Sequence, residues 1–152
     1  YLALNAQVNA ANIGYHSMRN YKNVNCVIIN ATELRHEMRN KDLKIETLMK
    51  SLSIKLNINY LVVTRGSLGS ILYNKKINKY FYSDAYAKTV IDKIGAGDTM
   101  LSLVSLSLKY GLNFNVSLLL SSLGAAQSVE TIGNKYFLNK NKILRHLENI
   151  LK

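Results

Sequence analysis

The sequence predicts a layered α/β domain with a mostly parallel β-sheet that helices cover on both faces. Short runs rich in β-branched residues alternate along the chain with longer runs that carry apolar side chains at helical spacing. Strands joined by crossover helices form sheets of this kind. The composition, 48% hydrophobic and 19% charged, is that of a globular protein and excludes a disordered chain.

The first half of the chain is predicted to hold three strands and three helices. The strands are short apolar runs at Leu2–Gln7, Val24–Ile29 and Tyr60–Thr64. A first helix is expected from about Asn12 to Asn20, and a third from about Lys44 to Leu56. Between them, Thr32 is the predicted N-cap of the second helix, because it precedes Glu33 and a run of apolar spacing.

The second half begins with a predicted β-hairpin and continues with helices. The hairpin pairs Gly69–Tyr73 with Lys79–Ser83 around a polar tip. A helix is expected to run to Tyr110, with Gly111 as its C-cap. Two further helices are predicted at Leu112–Val129 and Lys140–Lys152.

Length and charge limit the classes of function. The 152 residues correspond to one domain, and the longest apolar runs fall well short of the roughly 20 residues of a membrane span. The chain starts without the basic segment of a signal peptide, so we expect a cytoplasmic protein without a membrane partner. The net charge of +11 raises the alternative of a nucleic-acid-binding module. The basic residues are scattered without interleaved aromatics, so we expect no nucleic acid but an attraction for phosphorylated substrates.

The most informative segment is a glycine loop that leads into a helix. Gly95 and Gly97 flank Ala96, so the backbone amides are uncovered where the positive end of the helix dipole points. Such a loop can hold a phosphoryl group. Asp98, at the helix start, can take a proton from an attacking hydroxyl that lies within hydrogen-bond reach. On local sequence alone, a tight turn with Asp98 as a helix cap explains the segment equally well.

Three motifs in order resemble the PfkB (ribokinase) family of carbohydrate kinases. Residues 92–98 read DKIGAGD and resemble its signature D-T-x-G-A-G-D, with Lys93 in place of the usual threonine. Residues 63–69 read VTRGSLG and resemble its V-T-x-G-x-x-G turn. Residues 30–33 read NATE and resemble its N-x-x-E motif. The resemblance extends from about Tyr1 to Gly133, and it implies a three-layer αβα, ribokinase-like (Rossmann-like) domain.

The resemblance implies a catalytic role for the glycine loop. Asp98 would be the catalytic base, and the amides of Gly95, Ala96 and Gly97 would stabilise charge on the transferred phosphoryl group. Asn30 and Glu33 would act on Mg²⁺ through water, which suits the preference of magnesium for keeping its waters. The structural alternative for this last pair is a polar strand end followed by a carboxylate that the helix dipole favours.

The resemblance also implies a nucleotide site that binds ATP. Thr64, Gly66 and Gly69 belong to the turn near the phosphates, where Arg65 would add a cation; the alternatives are a strand residue and a plain turn. Ser122 and Ala126 fall where the family builds its adenine pocket, although helix packing explains both small residues as well. Some relatives also bind a monovalent cation near the segment that corresponds to residues 131–133.

The activity implied by the resemblance is ATP-dependent phosphorylation of a sugar or sugar phosphate. Residues 4–9, 30–35, 64–66, 90–98 and 124–133 look closest to the heptose 7-phosphate kinase (ADP-heptose synthase) branch, whose acceptor is D-glycero-D-manno-heptose 7-phosphate. Ribokinase-type or fructokinase-type kinases and a non-catalytic nucleotide-binding scaffold remain alternatives.

The family places its sugar-binding signature and a β-sheet lid in the N-terminal half, and this sequence contains neither. We therefore expect residues 1–152 to be the C-terminal portion of a single kinase domain. The full-length parent would form a homodimer through the lid, and this portion alone would transfer phosphate poorly.

Overall fold

The computed structural model describes residues 1–5, 17–132 and 138–150. In these ranges five strands form one sheet, with bounds β1 (Ala3–Asn5), β2 (Cys26–Asn30), β3 (Tyr60–Thr64), β4 (Ser70–Asn74) and β5 (Lys79–Ser83). The α-helices of the same ranges are α1 (Ala31–Met38), α2 (Ile45–Leu56), α3 (Ala96–Lys109), α4 (Phe114–Val129) and α5 (Lys140–Ile150).

The strands lie side by side in chain order. β1, β2 and β3 are parallel neighbours, whereas β4 pairs antiparallel with both β3 and β5. Only β4 therefore runs against the other described strands, which confirms the prediction of a mostly parallel sheet. The hairpin of β4 and β5, predicted from its polar tip, extends that sheet at one side.

Both faces of the sheet are covered by helices, and the continuous apolar runs of the central strands fit this double burial. On β2, Val27 and Ile29 pack on the face that α1 and α2 cover. Cys26 and Ile28 point the other way, into the core shared with α3 and α4. Since successive side chains of a strand alternate between faces, a strand buried on both sides has no polar positions. The predicted three-layer α/β architecture is confirmed.

The start of α1 differs from the prediction. The N-cap is Asn30, not Thr32: Asn30 has extended backbone angles (φ −83°, ψ 164°), and the helix begins at Ala31. Thr32 already lies within the first turn, so its backbone is helical and it cannot be the flanking cap residue. The signal for the correct cap was present, because Asn-x-x-Glu is also the pattern of a capping box.

The end of α3 lies one residue earlier than predicted: the C-cap is Tyr110, and the residue that follows it is Gly111. That residue has φ +74°, and its N–H donates to the carbonyl of Leu108 at 3.2 Å. The next N–H, of Leu112, donates to the carbonyl of Ser107 at 3.0 Å. This pair of bonds is a Schellman motif, in which glycine takes the left-handed conformation at low cost.

Two predicted elements fall largely outside the described residues. The strand predicted at Leu2–Gln7 is described only to Asn5, and of the helix predicted from Asn12 to Asn20 only the end is described, as a 3₁₀ turn at Met18–Asn20. No helix in the described ranges combines the length and the apolar character needed to cross a bilayer.

Candidate active site

The candidate site begins where three parallel strands end. β1 ends at Asn5, β2 at Asn30 and β3 at Thr64, and Asn30 is paired in register with Thr64. Because the strands are parallel neighbours, these polar residues reach the same edge of the sheet. Open α/β sheets bind ligands outside the carboxyl ends of their strands, so this edge is the expected position of a ligand.

An open cleft of about 550 Å³ lies at this edge. Its lining consists of Asn30, Ala31, Thr32, Arg35, Ile45, Thr64, Arg65, Gly66, Leu68 and Lys93. The structure thus brings four predicted residues together, one from the N-x-x-E segment and three from the strand–turn segment. It adds Lys93, which belongs to the glycine-loop segment.

The cleft is positively charged, since three of its lining residues are cations and none is a carboxylate. Arg35 is held in place by the carbonyls of Lys41 and Leu43, at 2.5 and 3.0 Å from its Nη1. Nη2 of Arg65 donates to the carbonyl of Leu68 at 2.6 Å. Backbone carbonyls orient these guanidinium groups without neutralising them, so the cleft is suited to an anion. Sequence reasoning did not assign Arg35 to the site, although it lies in the segment 30–35 that resembles the heptose kinase branch.

The turn after β3 contains two glycines with different surroundings. Gly66 lines the cleft with φ +60°, and a Cβ added there would meet no atom within 4 Å. Gly69 is buried with φ +75°, and an added Cβ would lie 2.0 Å from the carbonyl oxygen of Ser83. Gly69 is therefore required for packing against the end of β5, and it does not line the cleft.

The glycine loop forms the start of α3. Gly95 is the N-cap in the left-handed conformation (φ 81°), and Ala96, Gly97 and Asp98 are the first residues of the 14-residue helix. Helical geometry leaves the first four N–H groups of a helix without partners inside it. The exposed Asp98 side chain therefore lies beside free amides at the positive end of the helix.

Asp98 is joined to the sheet by a residue that sequence reasoning did not assign to the site. The side-chain amide of Asn5 donates a hydrogen bond to Oδ1 of Asp98, with Nδ2 and Oδ1 3.1 Å apart. This contact links the end of β1 to the start of α3. No local pattern could have indicated it, because 93 positions separate the two residues.

The segment that leads to the glycine loop is anchored on the end of α4. The N–H groups of Ile91 and Asp92 both donate to the carbonyl of Val129, at 2.8 and 3.1 Å. Glu130 accepts a hydrogen bond from the N–H of Lys88 and forms an ion pair with Lys142, both at 3.1 Å. Burial alone would raise the pKa of Glu130, but these two partners outweigh it and hold the pKa below its usual range.

Asn30 and Glu33 form a reciprocal capping box. Oδ1 of Asn30 accepts from the N–H of Glu33 at 2.8 Å, and Oε2 of Glu33 accepts from the N–H of Asn30 at 2.9 Å. This arrangement favours the helix-cap interpretation of the pair. In the described ranges no cluster of three or more His, Cys, Asp or Glu residues is placed to hold a metal directly. One carboxylate and one amide oxygen fit a magnesium ion held through water.

Ser122 and Ala126 are not among the residues that line the cleft. Both are buried in α4, and the hydroxyl of Ser122 is 3.1 Å from that of Ser70 on β4. This contact of Ser122, together with the burial of Ala126, favours helix packing as the reason for the two small residues. The predicted monovalent-cation segment at residues 131–133 includes one residue, Gly133, outside the described ranges.

Comparison with known proteins gives a consistent family match. Residues 12–141 match the profile of the pfkB family carbohydrate kinases. The chain is 32% identical over 117 residues to the bifunctional protein HldE of Campylobacter concisus, which covers 75% of this chain and 24% of that protein. It is 31% identical over 81 residues to an uncharacterized sugar kinase of Buchnera aphidicola, covering 53% of this chain and 26% of that protein. These matches therefore span about a quarter of the length of each of these two relatives.

Comparison with solved structures agrees with the sequence match. The structure of a ribokinase from Thermotoga maritima superposes with a TM-score of 0.77, at 18% sequence identity. The superposition covers 97% of this chain and 56% of that one. At this level of identity the comparison supports the fold, and the sequence match supports the family.

Proposed function

Because this chain belongs to the pfkB family of carbohydrate kinases, we propose that it is the nucleotide-binding portion of an ATP-dependent sugar kinase. The observation that carries the proposal is the position of two features at one edge of the sheet. One is the cationic cleft, and the other is the Asp98 carboxylate at the start of α3. The glycine-loop segment contributes to both, with Lys93 in the cleft lining and Asp98 in the helix. An anion site beside a general base is what phosphoryl transfer to a hydroxyl requires.

The proposed reaction is a direct, in-line transfer. The hydroxyl oxygen of the sugar attacks the γ-phosphorus of ATP, the bond from this phosphorus to the bridging oxygen breaks, and ADP leaves with that electron pair. Asp98 takes the proton of the attacking hydroxyl. The amides of Gly95, Ala96 and Gly97 stabilise the negative charge that develops on the phosphoryl oxygens, because the first N–H groups of a helix have no partner inside it.

The cleft would hold the phosphates of ATP. Thr64 and the backbone of Gly66 lie at its wall, and the guanidinium of Arg65 lies beside them. Lys93, in place of the family's threonine, would add a further cation between the cleft and the glycine loop. Gly69 would support this turn from beneath, and Ser122 and Ala126 would have to contribute to an adenine pocket from a buried helix face.

Magnesium is the cofactor that this proposal includes. When bound, Mg²⁺ neutralises phosphate charge and orients the phosphates for transfer. Asn30 and Glu33 would hold it through water molecules, and their capping box keeps both side chains at the carboxyl end of β2. A monovalent cation near residues 131–133 belongs to the same proposal.

The acceptor is proposed as a sugar or sugar phosphate, with D-glycero-D-manno-heptose 7-phosphate as the first candidate. The similarity to a bifunctional HldE protein and the segments that resemble the heptose kinase branch support this choice. Ribose and fructose are the alternatives. We further propose that residues 1–152 are the C-terminal portion of one kinase domain in a cytoplasmic homodimer. Its acceptor pocket and lid would lie in the rest of the protein.

The test is ATP-dependent phosphorylation by the intact protein, with heptose 7-phosphate, ribose, fructose and fructose 6-phosphate as acceptors. Asp98→Asn is expected to retain Mg·ATP binding and to lower turnover at least about 100-fold, because an amide cannot take the proton. Glu148→Gln is the matched control, since it makes the same acid-to-amide change at an exposed position of α5. Full turnover in Asp98→Asn would contradict the assigned base. Saturable Mg·ATP binding without turnover of any sugar would instead favour the scaffold alternative.

A further inference from the structure

Asn5 holds one side of the Asp98 carboxylate. Its amide Nδ2 lies 3.1 Å from Oδ1 of Asp98. Its backbone is fixed by the sheet, because β1 pairs with β2 in a register that places Asn5 opposite Ile28. The donor to Asp98 is therefore mounted on a rigid element.

The glycine at position 97 makes this contact possible. A Cβ added to Gly97 would lie 3.1 Å from Nδ2 of Asn5, which is closer than most such contacts in proteins. Any larger residue at position 97 would press on the amide that binds Asp98. The second glycine of the Gly-Ala-Gly-Asp segment thus has a second role, which is to leave space for Asn5.

The chemistry of the contact suits a base. The terminal torsion of an aspartate is broad and has weak preferences, so an exposed carboxylate at a helix start rotates freely. A hydrogen bond to one oxygen fixes this rotation and directs the other oxygen to a constant position. Asparagine is neutral, so it orients the carboxylate without forming the ion pair that a lysine or arginine would form there. A catalytic group held in its reactive geometry reacts faster than one that must find it.

We propose that Asn5 is a positioning residue for Asp98, an inference that rests on the proposed role of Asp98 as the base. In this arrangement Oδ1 of Asp98 accepts the hydrogen bond from the Asn5 amide, and Oδ2 is the oxygen directed to the hydroxyl of the sugar. Asn5 touches no reacting atom itself. Its contribution is made entirely through Asp98, so the effect of replacing Asn5 should disappear when Asp98 is replaced.

The test is a double-mutant cycle of Asn5→Ala and Asp98→Asn in the intact protein, with kcat, KM for ATP and the affinity for Mg·ATP measured for each variant. Loss of one hydrogen bond to a charged group predicts a decrease in kcat of about tenfold to a hundredfold for Asn5→Ala. Mg·ATP affinity is expected to stay within about twofold. In the Asp98→Asn background, Asn5→Ala is expected to cause almost no further loss, because residues that act as a unit are not additive.

Two further variants keep the test independent of folding. Asn25→Ala removes the side-chain hydrogen bond to the N–H of Leu2, 2.8 Å long, but leaves the pairing of Asn5 with Ile28 in place, so its kcat is expected to match the wild type. Asn5→Asp has nearly the same shape as asparagine but replaces the donor with a second carboxylate about 3 Å from Asp98, and like charges at that distance repel. Its kcat is expected to fall below that of Asn5→Ala. Thermal melts of all variants identify those that fail to fold.

The outcomes separate the two proposals. Wild-type kcat in Asn5→Ala, or a loss that adds fully to that of Asp98→Asn, would overturn the positioning role and leave the base assignment intact. An equal loss of kcat in Asn25→Ala would also overturn it, because the effect would then belong to the strand. Unchanged turnover in Asp98→Asn would overturn the base itself, and the role of Asn5 with it.

Discussion

Replacing Gly69 with alanine is expected to destabilise the protein by about 3 kcal/mol or more. Two costs contribute. Gly69 has φ +75° and ψ −144°, close to a region that is essentially restricted to glycine, and such backbone strain costs about 1–3 kcal/mol. The new Cβ would also lie 2.0 Å from the backbone carbonyl oxygen of Ser83 and 2.9 Å from the backbone of Asp84. Overpacking against groups that cannot rotate away adds about 1–3 kcal/mol.

Gly66→Ala is the matched control, because it changes the same residue type in the same turn. Its φ of +60° is also unfavourable for alanine, but its Cβ would meet no atom within 4 Å. The expected cost is therefore the left-handed backbone alone, about 1–2 kcal/mol. The difference between the two variants isolates the contact with the end of β5.

The measurement is urea unfolding followed by circular dichroism, with the free energy of unfolding extrapolated to water. The Gly69→Ala midpoint is expected to lie clearly below that of Gly66→Ala, at a similar slope. Equal costs in the two variants would refute the reasoning, because the steric term would then be absent. In nucleotide titrations of the folded variants, Gly66→Ala is expected to lose more affinity than Gly69→Ala, since Gly66 lines the cleft and Gly69 does not.

The remaining predictions concern two carboxylates. Glu33→Gln is expected to change the free energy of unfolding by less than about 0.5 kcal/mol, because glutamine also completes a capping box, whereas Asn30→Ala should cost about 1 kcal/mol. Mg·ATP titration of Glu33→Gln then tests the proposed metal role, which unchanged affinity would contradict. Glu130→Gln is expected to cost about 1 kcal/mol at pH 7 through the bonds to Lys88 and Lys142. Because the pKa of Glu130 is lowered on folding, its stabilisation is present at neutral pH and is lost as the pH falls below about 4. Urea unfolding at pH 7 and pH 3 should show that cost disappear, and a cost independent of pH would contradict the assignment.

The strands and helices could be predicted largely because burial produces clear patterns. The strand Tyr60–Thr64 was predicted with its observed bounds, since a strand covered on both faces is continuously apolar and ends where polarity returns. The cap of α1 was assigned two residues too late. Asn30 lies at a strand end, and the family motif that contains it implies metal binding, whereas the same Asn-x-x-Glu spacing also predicts a capping box.

The candidate site was predictable only where its residues are close in the sequence. Thr64, Arg65 and Gly66 are consecutive, and the structure places all three at the cleft. Asn5 and Arg35 lie in segments that resemble the heptose kinase branch, but the resemblance assigned neither of them a role. Their positions depend on the register of β1 and on the packing of α1. Gly69 shows that residues of one motif can also have different positions. The same motif contains Gly66 and Gly69, but only the tertiary fold reveals that one faces the cleft and the other supports β5.

The bond between Asn5 and Asp98 also has a consequence for the order of folding. It closes a loop that contains the rest of the described sheet and the segment leading to α3, because its ends are 93 positions apart. Contacts of such sequence separation carry a large closure entropy and form after local structure has compensated for it. Hairpins and helices can therefore be complete in a chain that has not yet joined Asp98 to Asn5. A partly folded chain would then hold the turn after β3 before it held the Asp98 side chain in its final orientation.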